Sequence, residues 1–224
     1  MKLLAATRSA GKQRELKRVL QPAGIEVVFP DDVGLYPAQA EDMLELGDTF
    51  EANARRKAEH FVRLSGLPTV ADDSGLEILS LGGAPGVRSR RWAGASGNEA
   101  EADAANNAEL VRRLAGAMGV RRRARYRCVL VFLSTPGSVP RVFEGVCAGH
   151  ILEEPKGEGG FGYDPYFLSD ELGKTFGEAS AAEKDSVSHR GRALRDLVAA
   201  LEGGCETSLP PVILSGAKEP KPTP

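Results

Sequence analysis

Cysteine is scarce and unpatterned in this chain. The three residues, Cys128, Cys147 and Cys205, form no C-x-x-C pair and leave one over in any disulfide scheme. That excludes a disulfide-built fold and a thiolate metal cage, and it predicts a reduced, cytoplasmic protein. Long apolar runs are missing too. Leu3 to Thr7 is too short for a signal peptide and no window approaches a membrane span, so no membrane partner is expected. Nor is there an excess of positive charge. Lys plus Arg number 29 against 31 Asp plus Glu, a formal net charge of -2, which argues against wholesale nucleic-acid binding. Any basic site must be local. No G-x-S-x-G elbow is present and no cysteine sits in a motif, so a serine or cysteine nucleophile is not expected.

What the 224 residues do contain is enough chain for one α/β domain, expected over residues 1–201. Its most unusual stretch is Pro68 to Leu76, where a short apolar run (Thr69 to Ala71) ends in Asp72, Asp73, Ser74 and Gly75. A strand that delivers two carboxylates at its exit suits metal and phosphate chemistry, because open α/β sheets bind ligands beyond strand ends. An acidic turn is the alternative, since these residues also form turns.

Leu3 to Thr7 reads as a buried strand running into Arg8, Ser9, Ala10, Gly11 and Lys12, then a helix carried by Leu16, Val19 and Leu20. Strand, glycine turn and helix offer a phosphate free N–H groups and a positive helix end. The P-loop consensus is not met, because Ala6 replaces its first glycine and Gln13 follows the lysine. An ordinary turn with a solvated lysine fits equally well.

Ile25 to Phe29 reads as a second strand. A helix is predicted after Gly47, with Asp48 as N-cap and Glu51 closing a capping box or pairing with Arg55. Asn53 and Lys57, four apart, share a face that can point into a cleft. Leu76 to Leu79 starts another element. The loop Gly82 to Gly94 is basic around Arg88, Arg90 and Arg91. It either closes over an anion with Trp92 stacked on a base, or it is a structural loop anchored by Trp92. Ala100 to Ala115 is predicted helical, with Ala104, Ala108, Val111 and Leu114 buried.

The arginines from 121 to 127 lead into an apolar strand with Ala124, Tyr126, Cys128 and Leu130 on one face, so they read as its solvated start. Val139 to Leu152 pairs back as a hairpin. Gly157 to Gly162 matches G-x-G-x-x-G by letter only, because Tyr163, Asp164 and Pro165 follow where a helix should open. What remains is a glycine loop presenting Phe161, Tyr163 and Asp164. It is either a base-recognition loop or a tight turn with buried aromatics. Ser180 to Glu183 fits a capping box, and Ser188, His189, Arg190 and Gly191 open a last helix striped by Leu194, Leu197, Val198 and Leu201. Lys184, His189 and Arg190 near helix starts point to a bound anion. Residues 202–224 form a Pro- and Lys-containing tail expected to lie outside the core.

Five segments in this order, Thr7-x-Ser9-x-x-Lys12, Ala71 to Leu76, Gly83 to Gly86, Gly160 to Pro165 and Ser188 to Gly191, resemble the inosine triphosphate pyrophosphatase family. The resemblance implies an elongated mixed β-sheet with flanking helices and two lobes around a nucleotide-binding cleft. It implies a homodimer and magnesium-dependent conversion of ITP, dITP or XTP to the monophosphate and pyrophosphate. It further implies that Thr7, Arg8, Ser9, Ala10, Gly11 and Lys12 grip the triphosphate. Asp73 then acts as base or metal ligand with Lys12 as catalytic cation, and Ser74, Asn53 and Lys57 line the site. Phe161, Gly162, Tyr163 and Asp164 hold the base, and Lys184, His189 and Arg190 complete recognition. Two positions depart from the family pattern. Ser9 replaces a common Asn, and Ala52 stands where the resemblance aligns a magnesium-binding Glu. Asp72 or Glu51 is then the second metal ligand, although Glu51 lies about 100° around the helix from position 52. Without that acid, a sensor that binds nucleotide and does not hydrolyse it is the alternative function.

Overall fold

One strand, β3 (Thr69–Ile78), runs straight through the acidic stretch. The expectation that a strand ends at Ala71 and a new element begins at Leu76 is therefore corrected. The reason is a partner invisible locally: the whole of β3 pairs antiparallel with β4 (Arg123–Leu133), from Thr69 opposite Leu133 to Ile78 opposite Ala124. The described residues are 1–94 and 98–203 of a computed structural model, and the expected tail lies outside them apart from its first two residues.

The remaining strands are β1 (Lys2–Ala5), β2 (Glu26–Val28), β5 (Arg141–Ile151) and β6 (Phe167–Ser169), and the sheet order is β2-β1-β3-β4-β5-β6. Only the β2-β1-β3 part is parallel. β1 meets β3 at Thr69 and Val70 alone and then turns away into helix α1 (Ala10–Leu20). On that edge β3 has no further partner strand until Glu77 bridges Pro85. Asp72, Asp73 and Ser74 thus sit where the parallel pairing has ended, and the cleft opens there.

Helices cover both faces because β3 and β4 alternate apolar side chains above and below the sheet. Val70, Cys128, Leu130 and Phe132 meet Leu16 and Leu20 of α1 and Leu194 and Leu197 of α5 (His189–Glu202). Ala71, Val131 and Leu133 meet Ala54, Ala58, Phe61 and Val62 of α2 (Phe50–Ser65). A separate cluster fills the far end, where Leu76, Ile78 and Tyr126 pack on Phe167, Phe176 and on Leu110 of α3 (Glu99–Arg113). Truncating one such buried leucine to alanine costs about 2–5 kcal/mol. The cleft lies between these two packed ends.

Local expectations are corrected at two helices. Thr49, and not Asp48, caps α2, its hydroxyl accepting from the Ala52 N–H at 3.1 Å, while Glu51 pairs with Arg55 at 2.8 Å. On α3 the buried positions are Asn106, Leu110 and the following Leu114, whereas Ala104, Ala108 and Val111 face outward. Asn106 is turned inward because two loop peptides use it: it donates to the Arg90 carbonyl and accepts from the Ala93 N–H, both at 2.9 Å. The arginine run is consumed by structure. Arg123, Arg125 and Arg127 pair with Asp170, Glu77 and Glu144, and Arg122 donates to the carbonyls of Ala117, Ile151 and Leu152.

Candidate active site

The cleft is bounded by the free edge of β3, the start of α1, the loop around Phe161, Lys184 on the short helix Ala181–Val187, and His189 at the start of α5. It brings together most of the residues expected from the sequence, and it divides them by task.

Asp72 belongs to the α1/α5 face of the sheet. Its Oδ2 accepts from Arg190 Nε and Nη2 at 3.2 and 3.1 Å and lies 3.0 Å from Lys12 Nζ. Ser74 joins the cluster, its Oγ accepting from Arg190 at 2.6 Å and lying 3.2 Å from Asp72 Oδ2. Burial alone would raise the Asp72 pKa, but Lys12, Arg190 and Lys57 together hold it well below the usual carboxylate range. The group is a permanently ionised anchor, and its role is to orient Arg190 and Lys12. As a metal ligand it is a poor choice, because its Oδ2 is held between Lys12 and Arg190 and the side chain does not line the cleft.

Asp73 faces the other way, toward α2. Asn53 is the fixed point there: its Oδ1 accepts from the Gly47 N–H at 2.7 Å while its Nδ2 donates to Asp73 Oδ2 at 2.9 Å. Lys57 Nζ donates to the Asp72 carbonyl at 2.5 Å and lies 3.7 Å from Asp73 Oδ1. Burial raises the Asp73 pKa, ahead of the opposing pull of Lys57 and Lys12. A carboxylate more basic than usual, at the cleft edge, is equipped to orient and deprotonate water.

A second carboxylate that the sequence reading missed faces the same cleft. Glu45 lies 2.8 Å from Lys57 Nζ, and Lys57 lowers its pKa to about 2. It arrives on a loop strapped down from a distance by Arg8, whose guanidinium binds Glu41 at 2.7 and 2.8 Å, Asp31 at 2.6 Å and the Leu35 carbonyl at 2.9 Å. Arg8 is therefore a strut for that loop, already saturated, and not a free phosphate ligand. Glu51, the weaker metal expectation, is exposed, paired with Arg55, and lines a different hollow with Glu77 and Arg127. The structure does not bring it to Asp73. No local signal marks Glu45, because the cations that meet it, Lys57 and Arg91, come from distant parts of the chain.

Phosphate-binding geometry is present at α1. Ser9 holds the N-cap position in extended conformation with no side-chain cap, no acid occupies the first turn, and Ala10 is exposed, so the helix-start N–H groups are available to an anion. Thr7 Oγ1 accepts from the Ser9 N–H at 3.3 Å and stabilises the turn. Gly11 is required by a close approach, since a Cβ there would stand 2.6 Å from the Phe161 ring.

At the opposite end Phe161 and Gly162 line the cleft, and the Phe161 ring centroid lies 4.7 Å from Lys184 Nζ. Asp164 is not free to meet a base with both oxygens: its Oδ2 accepts from the Phe161 N–H at 2.8 Å and from Lys184 at 2.5 Å. Tyr163 is buried, its hydroxyl donating to the Ser89 carbonyl at 2.8 Å, and Trp92 packs edge-on against it at 6.4 Å. Trp92 is thus the loop anchor of the two alternatives. His189 stacks on Tyr126 with centroids 4.7 Å apart, and burial with Arg190 beside it keeps the imidazole neutral at pH 7. Its Nδ1 is buried at the cleft wall without a partner, which leaves a hydrogen-bonding group for a ligand.

Behind these residues lies Glu15, also absent from the sequence reading. This buried carboxylate pairs with Lys184 at 2.7 Å and with Arg190, linking the base end of the cleft to the Asp72 cluster. Burial raises its pKa, but Arg190 and Lys184 outweigh that and hold it at about 2.

A magnesium ion fits the residues present. Asp73 and Glu45 offer hard oxygen donors in one cleft, and among the described residues no cluster of three or more ligating side chains forms a closed cage. Magnesium is commonly held by one or two carboxylates together with substrate phosphates.

The chain is similar to known proteins over most of its length. The Ham1 family model matches residues 3–200. A dITP/XTP pyrophosphatase from Syntrophobacter fumaroxidans is 47% identical over 195 residues, which is 87% of this chain and 79% of the relative. A HAM1 protein from Coxiella burnetii superposes with a TM-score of 0.78 at 33% identity, covering 91% of this chain and 99% of the other. A nucleoside-triphosphatase / dITP/XTP pyrophosphatase from Mycobacterium abscessus superposes at 0.67 with 43% identity, covering 88% and 98%.

Proposed function

Because the chain belongs to the Ham1 family, we infer that it is a pyrophosphatase of non-standard purine nucleoside triphosphates, ITP, dITP or XTP, and that it cuts them in the cleft beside β3. The substrate is split to the monophosphate and pyrophosphate. The observation that carries the assignment of the site is Asp73, a buried, raised carboxylate held by Asn53 at the edge of the sheet, facing a cleft that also contains Lys12 and the open start of α1.

In this reading the triphosphate lies along the start of α1 and Lys12, and the purine lies against Phe161. Asp73 accepts a proton from a water whose oxygen attacks the α-phosphorus. The bond from that phosphorus to the bridging oxygen breaks, and pyrophosphate leaves with the electron pair. Asp73 and Glu45 would hold the magnesium ion, which when bound supplies positive charge against the phosphate oxygens. Lys12 stabilises the charge that develops, and Asn53 keeps Asp73 aimed. His189, neutral and with Nδ1 unpartnered, supplies a hydrogen bond to substrate. With Glu45 in place of the acid aligned with Ala52, the motive for a non-hydrolysing sensor falls away.

The same reading carries a cytoplasmic homodimer, which light scattering on the full chain tests. A product-resolved panel of purine triphosphates with Mg²⁺ tests the activity. ITP, dITP and XTP should each yield monophosphate and pyrophosphate much faster than ATP or GTP. Equal turnover of all five would overturn the substrate assignment.

A further inference from the structure

Gly162 is held through both its N–H and its carbonyl by one helix. Its N–H donates to Asp103 Oδ2 at 2.8 Å, and its carbonyl accepts from Asn107 Nδ2 at 3.0 Å. Asp103 and Asn107 are four residues apart on α3, so they share a face and close on the peptide like two fingers. Gly162 has φ +64° and lies between Phe161 and Tyr163; its N–H belongs to the peptide that joins it to Phe161, so holding that group constrains the backbone from which the Phe161 ring projects. The next polar residue of that face, Asn106, holds the Arg90 carbonyl and the Ala93 N–H, beside the single tryptophan of the chain. α3 therefore grips two walls of the cleft by side-chain hydrogen bonds, while its own apolar contacts, through Leu110, are to the far core. None of these α3 groups touches Asp72, Asp73 or Lys12 by hydrogen bond or ion pair.

We propose that Asp103 and Asn107 are positioning residues for purine recognition: they set the base-binding loop and leave the phosphate-cutting end untouched. The proposal rests on the functional reading above and adds to it a division of labour between α3 and α1. Asp103 acts through its acceptor oxygen, since the N–H it holds needs an acceptor and not a charge. Burial raises its pKa, in keeping with a site where a neutral acceptor suffices.

The test compares the full-length wild type with Asp103→Ala, Asp103→Asn and Asn107→Ala. It measures kcat and KM for ITP, inhibition by each product, and IMP binding through Trp92 emission. Asp103→Ala and Asn107→Ala should raise KM for ITP and weaken IMP by about five- to tenfold, the value of one lost hydrogen bond to a loop peptide. Both kcat and inhibition by pyrophosphate should stay within about twofold of wild type, and Asp103→Asn should restore near-normal IMP binding. Equal weakening of IMP and pyrophosphate would show a general structural role and overturn the proposal. So would unchanged IMP binding, or Asp103→Asn as damaging as Asp103→Ala. Failure of the wild type to hydrolyse ITP would instead overturn the functional reading, because IMP binding by Trp92 emission is read without turnover.

Discussion

Asp72 and Asp73 are neighbours on β3 that serve opposite faces of the sheet: Asp72 Oδ2 accepts from Arg190 of α5 at 3.1 and 3.2 Å, and Asp73 Oδ2 accepts from Asn53 of α2 at 2.9 Å. One carboxylate is locked among cations and the other faces the cleft. Their Asp→Asn variants should therefore fail in different ways.

Asp72→Asn removes the counter-charge of half-buried Lys12 and leaves buried Arg190 with Glu15 alone. It should lower unfolding stability by about 3–5 kcal/mol, measured by urea denaturation. Asp73→Asn should leave stability nearly unchanged and keep nucleotide binding, yet lower kcat by about 100-fold or more. An active Asp73→Asn variant would remove that residue from the mechanism.

Burial raises the Asp73 pKa above its ordinary value of 3.8. Because that shift belongs to the metal-free protein, the Asp73 carboxyl should titrate above 3.8 when followed by NMR without Mg²⁺. Titration at or below that value would contradict the burial argument.

Glu15 titrates in the other direction. Its folded pKa of about 2 lies below the ordinary 4.5, so the stability it contributes is complete above pH 4.5 and is lost as pH falls toward 2. Glu15→Gln should be less stable than wild type at pH 7 and show a flatter decline in melting temperature across that window.

Glu45 and Glu51 separate the two candidate partners of Asp73. Glu45→Gln should raise the Mg²⁺ concentration needed for half-maximal activity by about tenfold or more, because it removes a charged oxygen donor from the cleft. Glu51→Gln should leave it unchanged, since that side chain is exposed and paired with Arg55. A magnesium titration of both variants decides.

How much of this could be read along the chain depends on how local each cause is. The Ser180 box and the Ser188 cap are set by residues within a few positions and appear where the spacing puts them, whereas α1 already begins at Ala10, inside the stretch read as a turn through Lys12. The extent of β3 was not legible, because it is decided by pairing with β4, 46 to 64 residues along the chain. Asp73 stood out as an acid following a short apolar run. Its separation from Asp72 did not, since the side of the sheet each faces follows from that same pairing. Glu45 was hidden because Lys57 and Arg91 reach it from distant parts of the chain, and Glu15 because one acid on an otherwise ordinary helix face carries no mark of the two cations that meet it. On α3, apolar spacing favoured the alanines, but the hydrogen bonds of Asn106 turned the helix.

The central claim is that water directed by Asp73 attacks the phosphorus nearest the nucleoside. Turnover of ITP in ¹⁸O-labelled water with Mg²⁺ tests it most directly, with both products read by mass spectrometry. The account predicts label in IMP and none in pyrophosphate; label in pyrophosphate, or release of IDP and orthophosphate, would contradict it.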